Sequence, residues 1–256
     1  MIQLEKLSKS FADKDVLHGI DSTFSSGNCN LIIGRSGSGK TVLMKCIVGL
    51  FEPTGGRVLY DGRDFCRMSK RERTMLRREM GMIFQNAALF DSMTVLENVM
   101  FPLDMFSADS YKDRRRRAEF CLDRVGLADA LQKFPGEISG GMQKRVAIAR
   151  AIALKPKYLF CDEPNSGLDP KTSLVIDELI YGITKETGTV TVMNTHDMNS
   201  VLGIGDHILF IHQGDKEWEG TKDEVLGSDN RRLSDFIFAS DFLKKVRDAG
   251  RAQAAT

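Results

Sequence analysis

A glycine-rich loop that ends in a lysine and a threonine is the feature of this sequence with the clearest chemistry. It reads Gly34-Arg35-Ser36-Gly37-Ser38-Gly39-Lys40-Thr41 and fits the pattern G-x-x-x-x-G-K-[ST]. An apolar segment, residues 29–33, runs into the loop, and a helical pattern that begins at Val42 follows it. Glycines let successive backbone amides converge on phosphate oxygens, and a helix N-terminus favours an anion. The loop therefore predicts a site for a nucleoside triphosphate, with Lys40 on the β- and γ-phosphates and Thr41 as a ligand of Mg²⁺.

Two acidic residues follow a second apolar segment, residues 158–161. Asp162 and Glu163 stand where this segment ends, and parallel sheets bind ligands beyond the carboxyl ends of their strands. Asp162 is suited to hold Mg²⁺ through its water shell, and Glu163 is suited to orient and polarise an attacking water. Taken alone, the pair could equally be an acidic turn after a buried strand; beside the phosphate loop, the catalytic interpretation is favoured.

The composition is typical of a globular protein without a strong electrostatic preference. The 256 residues carry a net charge of +1, which gives no indication of a basic surface that would bind nucleic acid. The five cysteines include no C-x-x-C spacing, which argues against a disulfide framework or a zinc site and favours a reducing compartment. There is no signal-peptide pattern and no run of about 20 apolar residues, so a membrane span would have to come from another chain.

Short apolar segments alternate with helical patterns, which predicts an α/β fold with a largely parallel sheet. Residues 86–154 carry helical patterns and no strand pattern, so we expect a helical insertion there. The expected strands are residues 16–24, 29–33, 57–60, 81–84, 158–161, 190–194 and 207–212. The expected helices of the insertion are residues 95–106, 111–125 and 140–154. Near the C-terminus, an amphipathic stretch at 236–246 precedes a small, polar tail.

A third motif, Ile138-Ser139-Gly140-Gly141-Met142, opens the last of these helices. A hydroxyl followed by two glycines makes a second helix N-terminus that can bind an anion. With this motif in place, the sequence closely resembles an ATP-binding-cassette (ABC) ATPase over nearly its whole length.

The resemblance implies an ABC-type P-loop NTPase fold, in which a RecA-like core sheet with flanking helices carries an N-terminal antiparallel β subdomain and an inserted helical subdomain. Residues 1–85 and 155–240 would form the core with the β subdomain. Residues 86–154 would form the helical subdomain, and residues 241–256 a C-terminal tail. ATP and Mg²⁺ would be the bound nucleotide and metal.

The resemblance also implies roles for single residues. Phe11 matches the aromatic residue that stacks on adenine, although packing within a strand would also explain it. Gln85 matches the Q-loop glutamine, which senses Mg²⁺ and water and is therefore both a catalytic and a metal-binding candidate. His196 matches the switch histidine that contacts the γ-phosphate, and Asp169 lies in the D-loop at the dimer seam. In this family the signature motif, here Ser139, Gly140 and Gly141, binds the γ-phosphate of ATP held by the opposing protomer.

Four positions depart from the usual family pattern. Ile138 replaces Leu and Met142 replaces Gln in the signature, and a thioether cannot donate the hydrogen bonds of an amide. Lys144 stands where Gln is frequent, and Asn165 stands where Thr or Ser is frequent. None of these changes removes a catalytic group, so we expect activity.

The Gly-Gly-Met form, together with the segments around Lys40 and Gln85, is similar to the ATPases of bacterial Mla/MCE-type phospholipid-trafficking systems. This similarity implies a homodimer at the cytoplasmic face of the bacterial inner membrane. Its partners would be an integral-membrane permease and an MCE-type lipid-binding subunit, with no nucleic acid. Two alternatives remain open: an ATPase for a different solute, and a non-transport protein such as a cell-division signalling ATPase or a soluble cassette acting on ribosomes or DNA.

Overall fold

The computed structural model describes residues 1–12 and 14–238, and within them the chain forms ten strands and nine α-helices. The strands are β1 (Ile2–Phe11), β2 (Lys14–Phe24), β3 (Cys29–Ile33), β4 (Gly55–Tyr60), β5 (Arg63–Asp64), β6 (Met80–Ile83), β7 (Tyr158–Asp162), β8 (Val190–Thr195), β9 (His207–His212) and β10 (Asp215–Gly220). The helices are α1 (Lys40–Ile47), α2 (Lys70–Arg78), α3 (Val95–Phe106), α4 (Tyr111–Arg124), α5 (Gly140–Ile152), α6 (Pro170–Thr187), α7 (Met198–Ile204), α8 (Lys222–Val225) and α9 (Arg231–Ile237).

A six-stranded sheet lies at the centre, in the order β10-β9-β3-β8-β7-β6. The pairs β9–β3, β3–β8, β8–β7 and β7–β6 are all parallel, and only β10 runs antiparallel to its neighbour β9. The carboxyl ends of the five parallel strands therefore meet at one edge of the sheet, which is where such sheets bind ligands. The predicted α/β fold with a largely parallel sheet is confirmed.

Side chains of the central strands alternate between two hydrophobic clusters, as the pleat of a strand requires. In β3, Leu31 and Ile33 belong to one cluster and Ile32 to the other. The first cluster covers the face that packs on α3–α7, and the second lies under α1 and the smaller sheet. Both faces of the central sheet are thus buried, which explains why β3 is apolar apart from Asn30, whose buried amide donates to the carbonyl of Thr191 at 2.9 Å.

A second sheet of four antiparallel strands, in the order β2-β1-β4-β5, forms the predicted N-terminal β subdomain. β1 is absent from the strands expected from the sequence, because a bulge interrupts its alternation. Leu4 and Leu7 are both buried although they are three residues apart, and the register shifts between them. Lys6, within this bulge, has a φ of 48°.

Residues 95–152 contain the three helices that were expected for the insertion, with α4 and α5 ending one and two residues early. The start of α3 is fixed by a capping box, in which Thr94 and Glu97 satisfy each other's backbone amides. Buried residues of α3, α4 and α5 join the first hydrophobic cluster. Among the described residues no helix is both long and apolar enough to cross a bilayer. The predicted tail, 241–256, and most of the amphipathic stretch 236–246 lie outside the described residues.

The five cysteines are free thiols, and four of them are buried. Burial raises the pKa of Cys29 to about 12, despite a contact with the Thr184 hydroxyl, and that of Cys46 to about 11. Burial likewise raises the pKa of Cys121 and Cys161. Cys66, half-buried, lies in a 3₁₀ turn at residues 65–67, between β5 and α2.

Candidate nucleotide site

The glycine-rich loop lies between β3 and α1, at the carboxyl edge of the central sheet. Its tip, Arg35 to Gly37, is exposed, whereas Ser38, Gly39 and Lys40 are buried. The ammonium of Lys40 donates to the carbonyl oxygens of Gly34 at 2.8 Å and Arg35 at 3.1 Å, so the lysine holds the loop closed upon itself. No side chain caps the N-terminus of α1, so its first amides remain donors for an anion. Thr41 is exposed beside them, and Val42 packs partly buried on the core.

The residues of the loop fit a bound phosphate chain. Gly34 has a φ of 151°, and a Cβ built on it would lie 2.3 Å from the carbonyl oxygen of Ile211, so only glycine allows this close approach. The hydroxyl of Ser38 is buried and has no hydrogen-bond partner among the described residues. An orphaned polar atom inside an anion-binding loop is a group that a ligand can satisfy.

Asp162 ends β7, and its carboxylate accepts a hydrogen bond of 2.8 Å from the buried amide of Asn194 in β8. The next residue, Glu163, has a left-handed φ of 47°, which is unusual for a side-chain-bearing residue. Its backbone amide donates to the carbonyl of Asn194 at 3.1 Å, which fixes this turn. Strained residues of this kind cluster at functional sites.

Three predicted site residues, Gln85, Glu163 and His196, lie in contact around the Glu163 carboxylate. One carboxylate oxygen lies 3.3 Å from Nδ1 of His196, and the other accepts a hydrogen bond of 3.5 Å from the Gln85 side chain. The same Gln85 amide donates to the Ser166 hydroxyl at 3.0 Å. The side chain of Glu163 is 20% exposed and that of His196 is 61% exposed, so the group is open to solvent on the histidine side. The structure thus brings Gln85, Glu163 and His196 together.

The charges at this edge act on one another. Burial lowers the pKa of Lys40, while the carboxylates of Glu163 and Asp162 oppose that effect. Within the described part of the chain no group of three or more His, Cys, Asp or Glu side chains could hold a metal by itself. A magnesium ion in such a site is shared between one or two protein oxygens and phosphate oxygens. Thr41, Asp162 and Gln85 remain the predicted protein ligands.

The signature motif lies apart from this cluster. Ser139 caps α5, and its hydroxyl accepts a hydrogen bond of 3.3 Å from the Met142 amide. Both Ser139 and Gly140 are exposed, while Gly141 packs against α6 so closely that a Cβ would lie 2.6 Å from Cγ2 of Thr172. Asp169 caps α6 by accepting a hydrogen bond of 3.0 Å from the Thr172 amide. No hydrogen bond or ion pair among the described residues joins Ser139 or Asp169 to Lys40 or Glu163.

Phe11 ends β1, and its ring is 40% exposed. One edge packs against Phe51 with the ring centroids 5.2 Å apart, and the ammonium of Lys9 lies 4.7 Å from the Phe11 centroid. Part of the Phe11 side chain therefore serves packing, and its exposed part can stack on a planar ligand.

A buried polar group that the sequence did not reveal lies behind the D-loop. Asp177 of α6 is 3% exposed and accepts hydrogen bonds from Asn165 at 2.8 Å and from Ser200 of α7 at 2.7 Å. Burial raises the pKa of Asp177. The Oδ1 atom of Asn165 is buried and without a partner among the described residues. The segments that carry Glu163 and His196 are joined through this group.

Comparison with known proteins identifies the family. The sequence profile of the ABC transporter family matches residues 17–166, which is more than half of the chain, so the chain belongs to this family. The methionine import ATP-binding protein MetN of Chromohalobacter salexigens is 38% identical over 244 residues, covering 93% of this chain and 70% of the relative. The intermembrane phospholipid transport system ATP-binding protein MlaF of Haemophilus influenzae is 35% identical over 237 residues, covering 93% of this chain and 90% of the relative.

A solved structure supports the same assignment. The dimeric ATP-binding cassette MJ0796, in a post-hydrolysis state bound to ADP and Pi, superposes with a TM-score of 0.78 at 33% identity. The superposition covers 87% of this chain and 99% of the MJ0796 chain. The predicted ABC-type fold is therefore confirmed, and the chain is an ATPase subunit of an ABC transporter.

Proposed function

We propose that two copies of this chain close around two ATP molecules and thereby drive a membrane permease that moves phospholipid across the bacterial envelope. The observation that carries the catalytic part is the contact of the Glu163 carboxylate with both Gln85 and His196 at the strand edge beside the phosphate loop. A carboxylate held between an amide and an imidazole is positioned to accept a proton from an attacking water.

Different residues of the site bind the phosphates and orient the general base. Lys40 and the free amides of α1 bind the phosphates, and Gln85 and His196 orient the carboxylate of Glu163. Mg²⁺, held by Thr41, Asp162 and Gln85, would neutralise charge on the bound phosphates. Asn194 keeps the Asp162 carboxylate aimed at the site by its hydrogen bond of 2.8 Å.

The signature motif supports a twofold dimer. Each chain has one phosphate loop and one signature, and no hydrogen bond or ion pair of the described residues joins the two motifs. A closed dimer in which each signature faces the partner's loop completes two equal sites. MJ0796, which is 33% identical, is likewise dimeric.

The transported solute is inferred from the signature and from the relatives. The Gly140-Gly141-Met142 form and the MlaF relative at 35% identity favour phospholipid, with an MCE-type lipid-binding subunit as a further partner and a location at the cytoplasmic face of the inner membrane. The MetN relative at 38% identity makes methionine import the second candidate.

Part of the apolar sequence that follows Gln85 is exposed and suits contact with a permease helix. Of the apolar side chains that follow Gln85, Leu96 and Met100 face the core of the helical subdomain, whereas Phe90, Met105 and Phe106 are 41%, 60% and 45% exposed. An amphipathic helix of a membrane protein can insert its apolar face into such a surface.

Trapping the dimer tests the ATPase assignment. The Glu163→Gln variant should bind ATP like the parent but turn over about 10²- to 10⁴-fold more slowly, because the general base is lost. It should elute as an ATP-dependent dimer in size-exclusion chromatography. Ser139→Arg, which changes only the signature, should still bind ATP as a monomer and fail to dimerise. Parental turnover in Glu163→Gln would remove Glu163 from the role of general base, and parental turnover in Ser139→Arg would contradict the two-copy site.

The phenotype of cells that lack the chain distinguishes phospholipid from methionine as the transported solute. Under the proposal they should expose phospholipid at the outer surface and take up methionine normally, and the parent chain should restore the barrier where Glu163→Gln does not. Defective methionine uptake with an intact envelope would instead favour the second candidate.

A further inference from the structure

A buried lysine in the signature helix takes no part in the site described above. Lys144, two residues beyond Met142 in α5, is 6% exposed, and its ammonium donates a hydrogen bond to the backbone carbonyl of Gln85. Among residues 1–12 and 14–238 no carboxylate pairs with this ammonium. Burial lowers its pKa with no opposing charge.

Such a group is costly to keep in a folded protein. Removing an ammonium from water is unfavourable, and one carbonyl oxygen replaces only part of its hydration. An apolar side chain of similar size would fill the same space without this penalty. The contact that Lys144 gains in return is with the backbone of Gln85, and it acts on the placement of that residue.

Arg150, six residues further along α5, holds the same segment. Its guanidinium donates to the carbonyls of Ala88 and Ala87, both at 2.7 Å. These two alanines have left-handed φ values of 49° and 59°, a conformation that alanine rarely adopts without support. Three carbonyl oxygens of residues 85–88, which we call the Q-loop, are therefore fastened to one helix by two cations.

The Q-loop is fastened on its other side to the catalytic carboxylate. The side chain of Gln85 reaches Ser166 at 3.0 Å and Glu163 at 3.5 Å. The backbone carbonyl of Gln85 is thus hydrogen-bonded to the signature helix α5, whereas its side chain contacts Glu163 in the chain's own hydrolytic site. A rigid helix links the partner-facing motif to this residue.

We propose that Lys144, supported by Arg150, is a positioning residue that couples the two ATP sites of the dimer. When a signature binds the partner's nucleotide, α5 holds Gln85 in its contact with Glu163 at the chain's own site. Each site then reports its occupancy to the other. This inference rests on the proposed two-copy function.

The test compares Lys144→Met, which removes the donor at similar volume, with Lys144→Gln, which keeps a neutral N–H donor and is frequent in the family at this position. Lys144→Met should keep parental ATP affinity and, combined with Glu163→Gln, should still form the ATP-trapped dimer. Its kcat should fall by about 10- to 100-fold, as for a lost hydrogen bond to a charged donor. Its Hill coefficient for ATP should fall to about 1, the value for independent sites. Lys144→Gln should restore both quantities.

The outcomes separate the two proposals. If Glu163→Gln alone forms no ATP-dependent dimer, the two-copy function is wrong. If that dimer forms but Lys144→Met retains the parental kcat and Hill coefficient, or Lys144→Gln falls as far as Lys144→Met, the coupling role is wrong. Arg150→Met, whose side chain is only half-buried, repeats the test should Lys144→Met fail to fold. It should show the same loss of cooperativity at unchanged ATP affinity, and retained cooperativity would overturn the inference.

Discussion

Glu219 connects the two sheets, and replacing it with Gln should lower the free energy of unfolding by an amount that depends on pH. Glu219 of β10 accepts hydrogen bonds from Ser22 of β2 at 2.6 Å and from Lys216 at 2.8 Å, and it lies 2.9 Å from Nε2 of His207. The side chain is 27% exposed. Burial raises the pKa of Glu219, but the hydrogen bonds from His207, Lys216 and Ser22 outweigh burial and lower the pKa from 4.5 to about 2.

This shift sets both the size and the direction of the effect. A change of pKa from 4.5 to about 2 corresponds to about 3 kcal/mol of folding free energy at neutral pH. Because the folded-state pKa is depressed, this stability is present above pH 4.5 and is lost as the pH falls toward 2. Glu219→Gln should therefore be about 3 kcal/mol less stable than the parent at pH 7, and the difference should shrink by about 1 kcal/mol at pH 4.

Urea unfolding followed by circular dichroism at pH 7, 5 and 4 measures the difference directly. Glu178→Gln is the matched control, because Glu178 is exposed on α6 and no hydrogen bond or ion pair of the described residues involves it. That control should follow the parent at every pH. The reasoning is refuted if Glu219→Gln differs from the parent by less than about 0.5 kcal/mol at pH 7, the range of an ordinary surface substitution. A difference that stays constant between pH 7 and pH 4 would also refute it.

Three further predictions concern the nucleotide site and its surroundings. Lys40→Ala should weaken ATP binding by about 10- to 100-fold in a calorimetric titration, since a charge-assisted contact with phosphate is lost; unchanged affinity would remove Lys40 from the site. Asp177→Asn should be at least as stable as the parent at pH 7, because it removes a buried charge while its oxygen can still accept from Asn165 and its NH2 group can donate to the Ser200 hydroxyl. It should also lack the parent's loss of stability as the pH rises through the raised pKa of Asp177. A melting temperature below that of the parent at pH 7 would contradict this. Phe90→Glu should abolish co-purification with the permease and spare ATP binding, whereas Leu226→Glu, at a position 49% exposed after α8, should retain the partner; retention by both would exclude docking at Phe90.

The sequence predicted those elements whose local signals agree with their packing. α3 begins and ends where expected, because Thr94 and Glu97 form a capping box ahead of a continuous apolar face. β3 is five consecutive buried residues, and four of them are apolar. β10 was not predicted, because an edge strand that carries Asp215, Lys216, Glu217 and Glu219 shows no apolar alternation.

The site was predictable where chemistry fixes residue type and spacing, as in the phosphate loop and the pair Asp162 and Glu163. The residues that place these groups were not predictable. Asn194 contacts Asp162 across 32 positions of sequence, and Lys144 contacts Gln85 across 59. Such contacts follow from how the strands and helices pack, and an amide or a lysine can serve many other purposes. The one signal for Lys144 was its departure from the residue that is frequent in the family.

Because four of the five thiols are buried, Cys66 offers a single site for a dye that would report movement of the protomers. A thiolate is the reactive form of cysteine, and burial withholds Cys29, Cys46, Cys121 and Cys161 both from reagents and from ionisation. A maleimide dye should therefore label the folded parent chain once, at Cys66, and the unfolded chain at all five thiols. Two labelled copies then carry one dye each, close to the turn that enters α2. Energy transfer between them would follow the approach and separation of the protomers through a cycle of ATP binding and hydrolysis, with no residue of the native sequence replaced.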